Sequence, residues 1–202
     1  MGNELTCRVE LGKQQSEGKA LLETSELLFR GGFRLKIPFS TIKSAKAADG
    51  ELRLETAEGL AVFHLGAAAE KWRDKILHPK SRIEKLGIKP GARISLLGGF
   101  DSDFLAEISG LTKSVSKGKA ASDAECIFFS AGSKQDLGAL PKTSKLMKGA
   151  AALWIVYPKG QKHITENDVL AAGRKTGLKD VKVVGFSATH TALKFVIPLA
   201  QR

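Results

Sequence analysis

The chain has 202 residues, room for one large domain or two small ones, and its 43% hydrophobic and 26% charged content is an ordinary globular balance. No apolar run approaches the roughly 18 residues that a membrane-spanning helix needs, and no basic segment followed by an apolar stretch opens the chain, so secretion through a signal peptide is not expected. The net charge of +11 is lopsided: residues 1–79 hold 12 Lys/Arg against 11 Asp/Glu, whereas residues 80–202 hold 20 against 10.

Cys7 and Cys126 are the only cysteines, each inside a strand-like apolar pattern. Two buried free thiols in a reducing compartment are the simple expectation, and the cytoplasm is the expected location. Met1-Gly2 with Thr6 fits the loose N-myristoylation pattern, although residues from Leu5 onward read as a strand.

In the N-terminal half, residues 6–11 alternate, with Cys7, Val9 and Leu11 on one face and Arg8 and Glu10 on the other. Further strands are expected at 18–23, 27–30, 33–37, 41–47, 51–56 and 60–65, with turns at Gly31-Gly32, Asp49-Gly50 and Glu58-Gly59. A helix over 67–77 follows, whose Ala69, Trp72 and Ile76 share one face and let Trp72 plug the open end of a small barrel. Seven strands closed by a helix with an inward Trp resemble the pleckstrin-homology superfold over residues 5–77. Lipid-binding members of that superfold cluster Lys and Arg around the first hairpin loop. Read as residues 12–18, that loop offers Lys13 and then Lys19, with Glu17 between them. The lipid pattern is not met, and a protein partner or scaffold role is the better expectation for the barrel. His64 reads as a structural or surface histidine, with no Cys, Asp or second His at metal spacing.

His78-Pro79-Lys80 breaks the helix, which divides the chain into expected domains 1–78 and 79–202. Ser81-Arg82-Ile83-Glu84 is a capping box, and Gly87 a natural left-handed stop. Strands and helices then alternate: strand 93–97, helix 101–109, short strand 113–115, strand 125–130 and helix 134–140, with Pro141 interrupting before 144–147. Strand 153–157, helix 166–176 closed by Gly177, and strands 181–186 and 192–197 complete the chain. Residues 151–157, Ala-Ala-Leu-Trp-Ile-Val-Tyr, carry no charge and suit a strand buried on both faces. The pattern predicts a three-layer α/β domain with a doubly wound sheet and a terminal antiparallel pair.

This half resembles a shortened class I methyltransferase fold, which ends in the same helix-then-hairpin unit. More narrowly, residues 153–160 with 181–197 resemble an uncharacterised bacterial family built on that fold. The resemblance implies a Rossmann-like fold and a cytoplasmic setting rather than an activity. S-adenosylmethionine enzymes carry a glycine loop after the first strand, with an acid two positions before its first glycine. With Gly98 as that first glycine, the acidic position is Leu96, and the next two glycine positions hold Phe100 and Ser102. The acid that normally binds the ribose after the second strand is replaced by Ser116-Lys117-Gly118-Lys119, and one strand is missing before Glu125. No cofactor is therefore expected, with S-adenosylmethionine as the alternative.

Open α/β sheets place ligands at the C-terminal ends of their strands. The residues expected there are Gly98, Gly99, Asp101 and Ser102 after the first strand, Ser130 after the third, Tyr157, Lys159 and His163 after the central strand, and Ser187, Thr189, His190 and Thr191 in the last turn. Hydroxyls, amides, Lys and His prevail, a set suited to phosphate, nucleotide or another small anion held at a helix N-terminus. No acid is placed to orient His190, and neither Gly-x-Ser-x-Gly, Walker nor dinucleotide glycine loops occur, so no catalytic residue and no metal is assigned.

Lysines cluster at 113–119 and 142–148, while only four Arg occur in residues 80–202. That pattern suits a solvated face, or charge-driven binding to nucleic acid or an anionic membrane; sequence-specific nucleic-acid recognition would want Arg forks and exposed aromatics. The sequence thus reads as a cytoplasmic binding or adaptor protein, leaning away from catalysis. Its alternatives are a divergent S-adenosylmethionine-dependent methyltransferase and a charge-driven polyanion binder.

Overall fold

The computed structural model describes residues 3–202, so Met1-Gly2, and with them the myristoylation pattern, lie outside the described residues. The chain divides into two compact units, Met1–Lys80 and Ser81–Arg202.

The first unit is a seven-stranded antiparallel half-barrel. Its strands are β1 (Asn3–Leu11), β2 (Gln14–Leu22), β3 (Glu26–Gly31), β4 (Arg34–Pro38), β5 (Ser44–Ala48), β6 (Glu51–Thr56) and β7 (Gly59–His64), in the order β4-β3-β2-β1-β7-β6-β5. Alternation turns Val9, Ala20, Leu22, Leu27, Phe29, Leu52, Leu54, Ala61 and Phe63 into one core. Helix α1 (Ala69–Leu77) packs on β5 and β6 and buries Ala69, Trp72 and Ile76 in that core, as their spacing requires. Each large side chain fully buried this way contributes roughly 1.5–3 kcal/mol.

Two expectations in this unit are corrected. The strand read over 41–47 begins only at Ser44, because Phe39–Thr41 form a 3-10 turn. The first hairpin has no seven-residue loop: Leu11 pairs with Gln14, leaving a two-residue turn at Gly12-Lys13. Gln14, Gln15, Ser16 and Glu17 are polar on both faces because this end of the hairpin is largely solvated, so their pairing leaves no trace in hydropathy. Lys19 is tied to Glu4 at 2.6 Å across the same ladder. His64 lies between Glu10 (Nε2 to Oε1, 3.0 Å) and Glu51 (Nδ1 to Oε1, 3.6 Å), and its hydrogen bond holds the Glu10 carboxyl below the usual range.

The second unit is a mixed α/β sheet, the Rossmann-like class expected. Its elements are α2 (Arg82–Leu86), β8 (Ile94–Leu97), α3 (Ser102–Leu111), β9 (Val115–Lys117), β10 (Cys126–Ser130), α4 (Leu140–Ser144), β11 (Ala152–Pro158), α5 (Glu166–Lys175), β12 (Lys179–Gly185) and β13 (His190–Val196). The strand order is β9-β8-β10-β11-β13-β12. The first four run parallel, and β13 runs antiparallel to both neighbours. Among the described residues no strand lies between β9 and β10, so β9 is the edge.

β11 is buried on both faces, as its apolar run predicts, and the period of two separates its side chains. Trp154 and Val156 join Leu86, Ile94, Phe104, Ile108 and Phe128 on the α2/α3 face. Leu153, Ile155 and Tyr157 join Leu140, Val169 and Phe195 on the α4/α5 face. The capping box forms as read: Glu84 N donates to Ser81 Oγ at 3.2 Å, Ser81 N donates to Glu84 Oε2 at 2.7 Å, and Gly87 follows in the left-handed region. Cys7 and Cys126 are buried free thiols, and burial pushes the Cys7 thiol up to about 11.

Three boundaries move. β9 spans Val115–Lys117 rather than 113–115, fixed by parallel pairing with Ile94–Leu96 and by a 2.8 Å contact between Ser95 Oγ and Ser116 Oγ. Pro141 does not interrupt a helix; it stands in the first turn of α4, where its missing N–H has no partner to lose, and a 3-10 turn at Asp136–Ala139 precedes it. His190 and Thr191 belong to β13, opposite Pro158 and Tyr157, and not to the connecting turn.

Trp154 Nε1 is the one buried side-chain nitrogen or oxygen without a hydrogen-bond partner among the described residues. The indole stacks on Phe128 with ring centroids 6.4 Å apart, and Lys194 Nζ stands 5.6 Å from its centre. Trp154→Phe is expected to shift stability by less than about 1 kcal/mol. The lost volume costs roughly 1–2 kcal/mol, and removing an unpaired buried donor returns about 1–3 kcal/mol. Calorimetry of the full chain checks this, and a loss above about 2 kcal/mol would mean that the N–H contributes to stability.

Candidate functional site

The C-terminal ends of β8, β10 and β11 meet the start of β13 at one edge of the sheet, where a cleft of about 540 Å³ opens. Gly98 turns the chain out of β8 at φ +91°, a value that strains residues with a side chain, and a Cβ there would stand 3.0 Å from that of Ser130. The loop can therefore lie flat on β10. Asp101 then caps α3: its Oδ1 accepts from Phe104 N at 2.7 Å.

Six of the twelve expected residues line the cleft: Gly99, Asp101, Ser130, Ser187, Thr189 and His190. Gly98 lies behind the lining, against Ser130. Ser102 is the exposed first residue of α3, beside the lining but not in it. Lys159 reaches the last loop from outside, its Nζ donating to Ser187 O at 2.9 Å. Tyr157 points to the opposite face, where its hydroxyl donates to Glu166 Oε2 at 3.1 Å, and burial pushes the phenol up. Thr191 pairs with Tyr157 across the ladder, and His163 Nε2 lies 3.1 Å from Gly132 O. Neither lines the cleft.

Sequence reading missed the other six lining residues, Arg82, Phe100, Asp103, Val156, Phe186 and Ala188, and Arg82 is the cationic one that organises the wall. Its side chain is only 13% exposed. The guanidinium stands 4.9 Å from the Phe186 ring centre and 5.1 Å from that of Phe104. It donates to Asp101 at 3.1–3.2 Å, to Glu107 Oε2 at 2.9 Å and to Phe186 O at 3.4 Å. Phe100, at the second glycine position, packs on Phe104, Phe128 and Phe186 at 5.6, 6.5 and 6.3 Å. An aromatic side chain therefore fills the space that a glycine would leave open.

This geometry bears on which ligand charge the cleft would favour. An anion at a helix N-terminus uses free amides, and at α3 a carboxylate already stands there, Asp101 accepting from Phe104 N. The one guanidinium of the lining is neutralised by Asp101 and Glu107, and Asp103 adds a second carboxylate to the same wall. Phe100, Val156, Phe186 and Ala188 supply the apolar part. His190 Nδ1 lies 2.9 Å from the Thr189 hydroxyl, and Ser187 Oγ accepts from the amides of Thr189 and His190 at 3.3 and 3.1 Å, which holds the turn. Among the described residues no group of three or more His, Cys, Asp or Glu could hold a metal ion. No described helix is long and apolar enough to cross a membrane.

On the α5 side, Asp168 is held at about 2 by the Thr165 hydroxyl and by Lys134. It completes a second capping box rather than a ligand site, since Thr165 Oγ1 also accepts from Asp168 N at 3.3 Å.

No protein-family model matches the chain, and no curated protein matches it. Solved structures do. An S-adenosylmethionine-dependent methyltransferase from Aquifex aeolicus is 15% identical with a TM-score of 0.44, the match covering 61% of this chain and 96% of that one. The N-terminal pleckstrin-homology domain of human ARAP2 is 11% identical with a TM-score of 0.33, covering 50% and 92%. The C-terminal domain of an unknown protein from Leishmania infantum is 10% identical with a TM-score of 0.33, covering 38% and 80%. These are similarities only; the chain's own strand orders define a seven-stranded antiparallel half-barrel followed by a Rossmann-like α/β unit.

Proposed function

We propose that the chain is a binding or adaptor protein whose α/β unit holds a small molecule in the cleft between α3 and the loop at 186–189, without catalysing methyl transfer. The observation that carries this reading is Phe100, packed on three rings where a glycine loop would have to stay open to admit a cofactor backbone. The lining sets the ligand class. Phe100 and Phe186 offer apolar ring surface, while Asp101, Asp103 and the hydroxyls of Ser130 and Thr189 accept hydrogen bonds. A flat ligand that presents donors or a positive charge fits this wall better than phosphate. The half-barrel serves as the protein-binding module, a role supported by its edge strands β4 and β5, each paired with a strand on one side only.

A second reading, S-adenosylmethionine-dependent methyl transfer, is favoured by the strand order of the α/β unit, which keeps a first strand, its loop and helix, and a terminal antiparallel pair. That cofactor is itself flat at its adenine and positively charged, so both readings meet in one screen. Melting temperatures of the full chain would be measured with adenosine, S-adenosylmethionine, S-adenosylhomocysteine, phosphate and sulfate at fixed ionic strength. A ligand at a hundredfold excess over its Kd stabilises the native state by roughly 2.7 kcal/mol, a readable shift. A shift with adenosine that is lost in Asp103→Asn supports the binding reading. A shift with S-adenosylhomocysteine, together with methyl transfer from S-adenosylmethionine to any added acceptor, overturns it in favour of the enzyme. A shift with phosphate alone overturns the ligand class.

A further inference from the structure

The two lysine clusters lie 23 residues apart in sequence, from Lys119 to Lys142, yet Lys117 and Lys119 of the first and Lys148 of the second border one groove. The end of β9 with the segment after it and the turn after α4 form its walls: Ser116, Lys117, Lys119 and Ser122 on one side, Leu146 on the other, around a cavity of about 470 Å³. A second cavity of about 470 Å³ shares Ser122 and Asp123 with the first and continues past Lys148 and Arg93. Lys113, Lys117, Lys119, Lys142, Lys145 and Lys148 are all exposed. None of the six makes an ion pair among the described residues. The nearby acids Asp123 and Glu125 are instead turned to Arg93, at 3.4 and 3.7 Å.

Six unpaired ammonium groups repel one another, and the fold gains nothing by gathering them. We propose that this groove is a binding track for the phosphate backbone of a single-stranded nucleic acid, engaged without regard to sequence. Its charges come almost wholly from Lys, which meets phosphate as a point charge, rather than from Arg forks that would read base edges. No aromatic residue lines either cavity, so bases are not stacked and the contact is to the backbone. A concave track lined by Lys117, Lys119 and Lys148 suits a strand better than a membrane, which would ask for a flat face and several exposed apolar anchors. Leu146, at 37% exposed, is the one large apolar residue on the walls.

The test is fluorescence anisotropy of the full chain with a labelled 20-nucleotide oligothymidine between 50 and 200 mM salt. If six lysines each neutralise one phosphate, the logarithmic salt slope is about −4 and affinity falls roughly 300-fold over that range. The double variants Lys117→Glu/Lys119→Glu and Lys145→Glu/Lys148→Glu should each weaken binding more than about tenfold and flatten the slope by about 1.4. Lys43→Glu/Lys46→Glu makes the same charge change on the half-barrel and should change binding less than about twofold. All six positions are exposed, so unchanged melting temperatures certify the folds. Equal losses from all three variants overturn the proposal, because the attraction would then be to net charge alone. Tighter binding of a duplex of the same length, or vesicle binding that depends on the same lysines while the oligonucleotide is ignored, also overturns it.

Discussion

Gly173→Ala, a change that stabilises most exposed helices, is expected to destabilise this protein by about 2 kcal/mol or more. In the middle of a helix Ala gains about 1 kcal/mol over Gly. Gly173, however, is where α5 touches the sheet: a Cβ there would lie 2.8 Å from Phe195 Cδ1, and closer still to Cε1 and Cζ of the same ring. Phe195 is fully buried among Leu153, Ile155 and Val169, so the ring has no solvent-side rotamer to escape into. Overpacking of such a site costs about 1–3 kcal/mol, and more where the neighbour is fixed. Gly110→Ala in α3 is the matched control, with nothing within 4 Å of the added carbon, and it should gain a few tenths to about 1 kcal/mol. Opposite signs for one chemical change, read by calorimetry, would establish contact rather than propensity as the cause. A neutral Gly173→Ala would mean that α5 slides on the sheet to make room.

The same contact shows where sequence stops carrying the fold. Helix 166–176 was legible as an element closed by Gly177, but nothing in its residues reports that Gly173 faces a ring 22 positions away. Half-buried strands were legible because alternation records which face meets the core, and Trp72 was placed by helical spacing. β2 was cut short because the half of it from Gln14 to Glu17 is mostly polar on both faces. β9 slipped by two residues because a three-residue edge strand is positioned by backbone pairing, Gly118 N to Leu96 O at 2.9 Å among other bonds, and not by a hydropathy period.

The candidate site was legible as an edge rather than as a surface. Strand ends name the loops that gather there, which brought six of twelve residues to the cleft. Alternation then decides which side chains face it. Val156 and Tyr157 are adjacent and point to opposite faces, so one lines the cleft and the other meets Glu166. Arg82 left only a local sign, an N-terminal position inside a capping box. Its partners Asp101 and Glu107 lie 19 and 25 residues away and are joined to it only when α2 packs on α3.

Arg82→Ala is the substitution that tests how that wall is built, and it is expected to cost about 2–3 kcal/mol. The guanidinium faces two rings at 4.9 and 5.1 Å, each such contact contributing about 0.5–1 kcal/mol when partly exposed and more when dry. Its charge-assisted hydrogen bonds to Asp101 and Glu107 add about 1.5–3 kcal/mol before discounting. Those carboxylates are 40% and 39% exposed, so solvent screens a good part of that sum. Arg82→Lys keeps the charge but loses the planar fork, and should recover less than half of the loss. Asp101→Asn should cost about 1 kcal/mol or less, because Asn still accepts from Phe104 N as a helix cap. If Arg82→Ala falls within about 0.5 kcal/mol of the parent, the residue is a surface ion pair that happens to lie over two rings. The full loss, with Arg82→Lys well below the parent, would show that the cation is part of the structure. The one guanidinium of the cleft would then be committed to its own wall, which is the physical ground for expecting a donor-bearing ligand there.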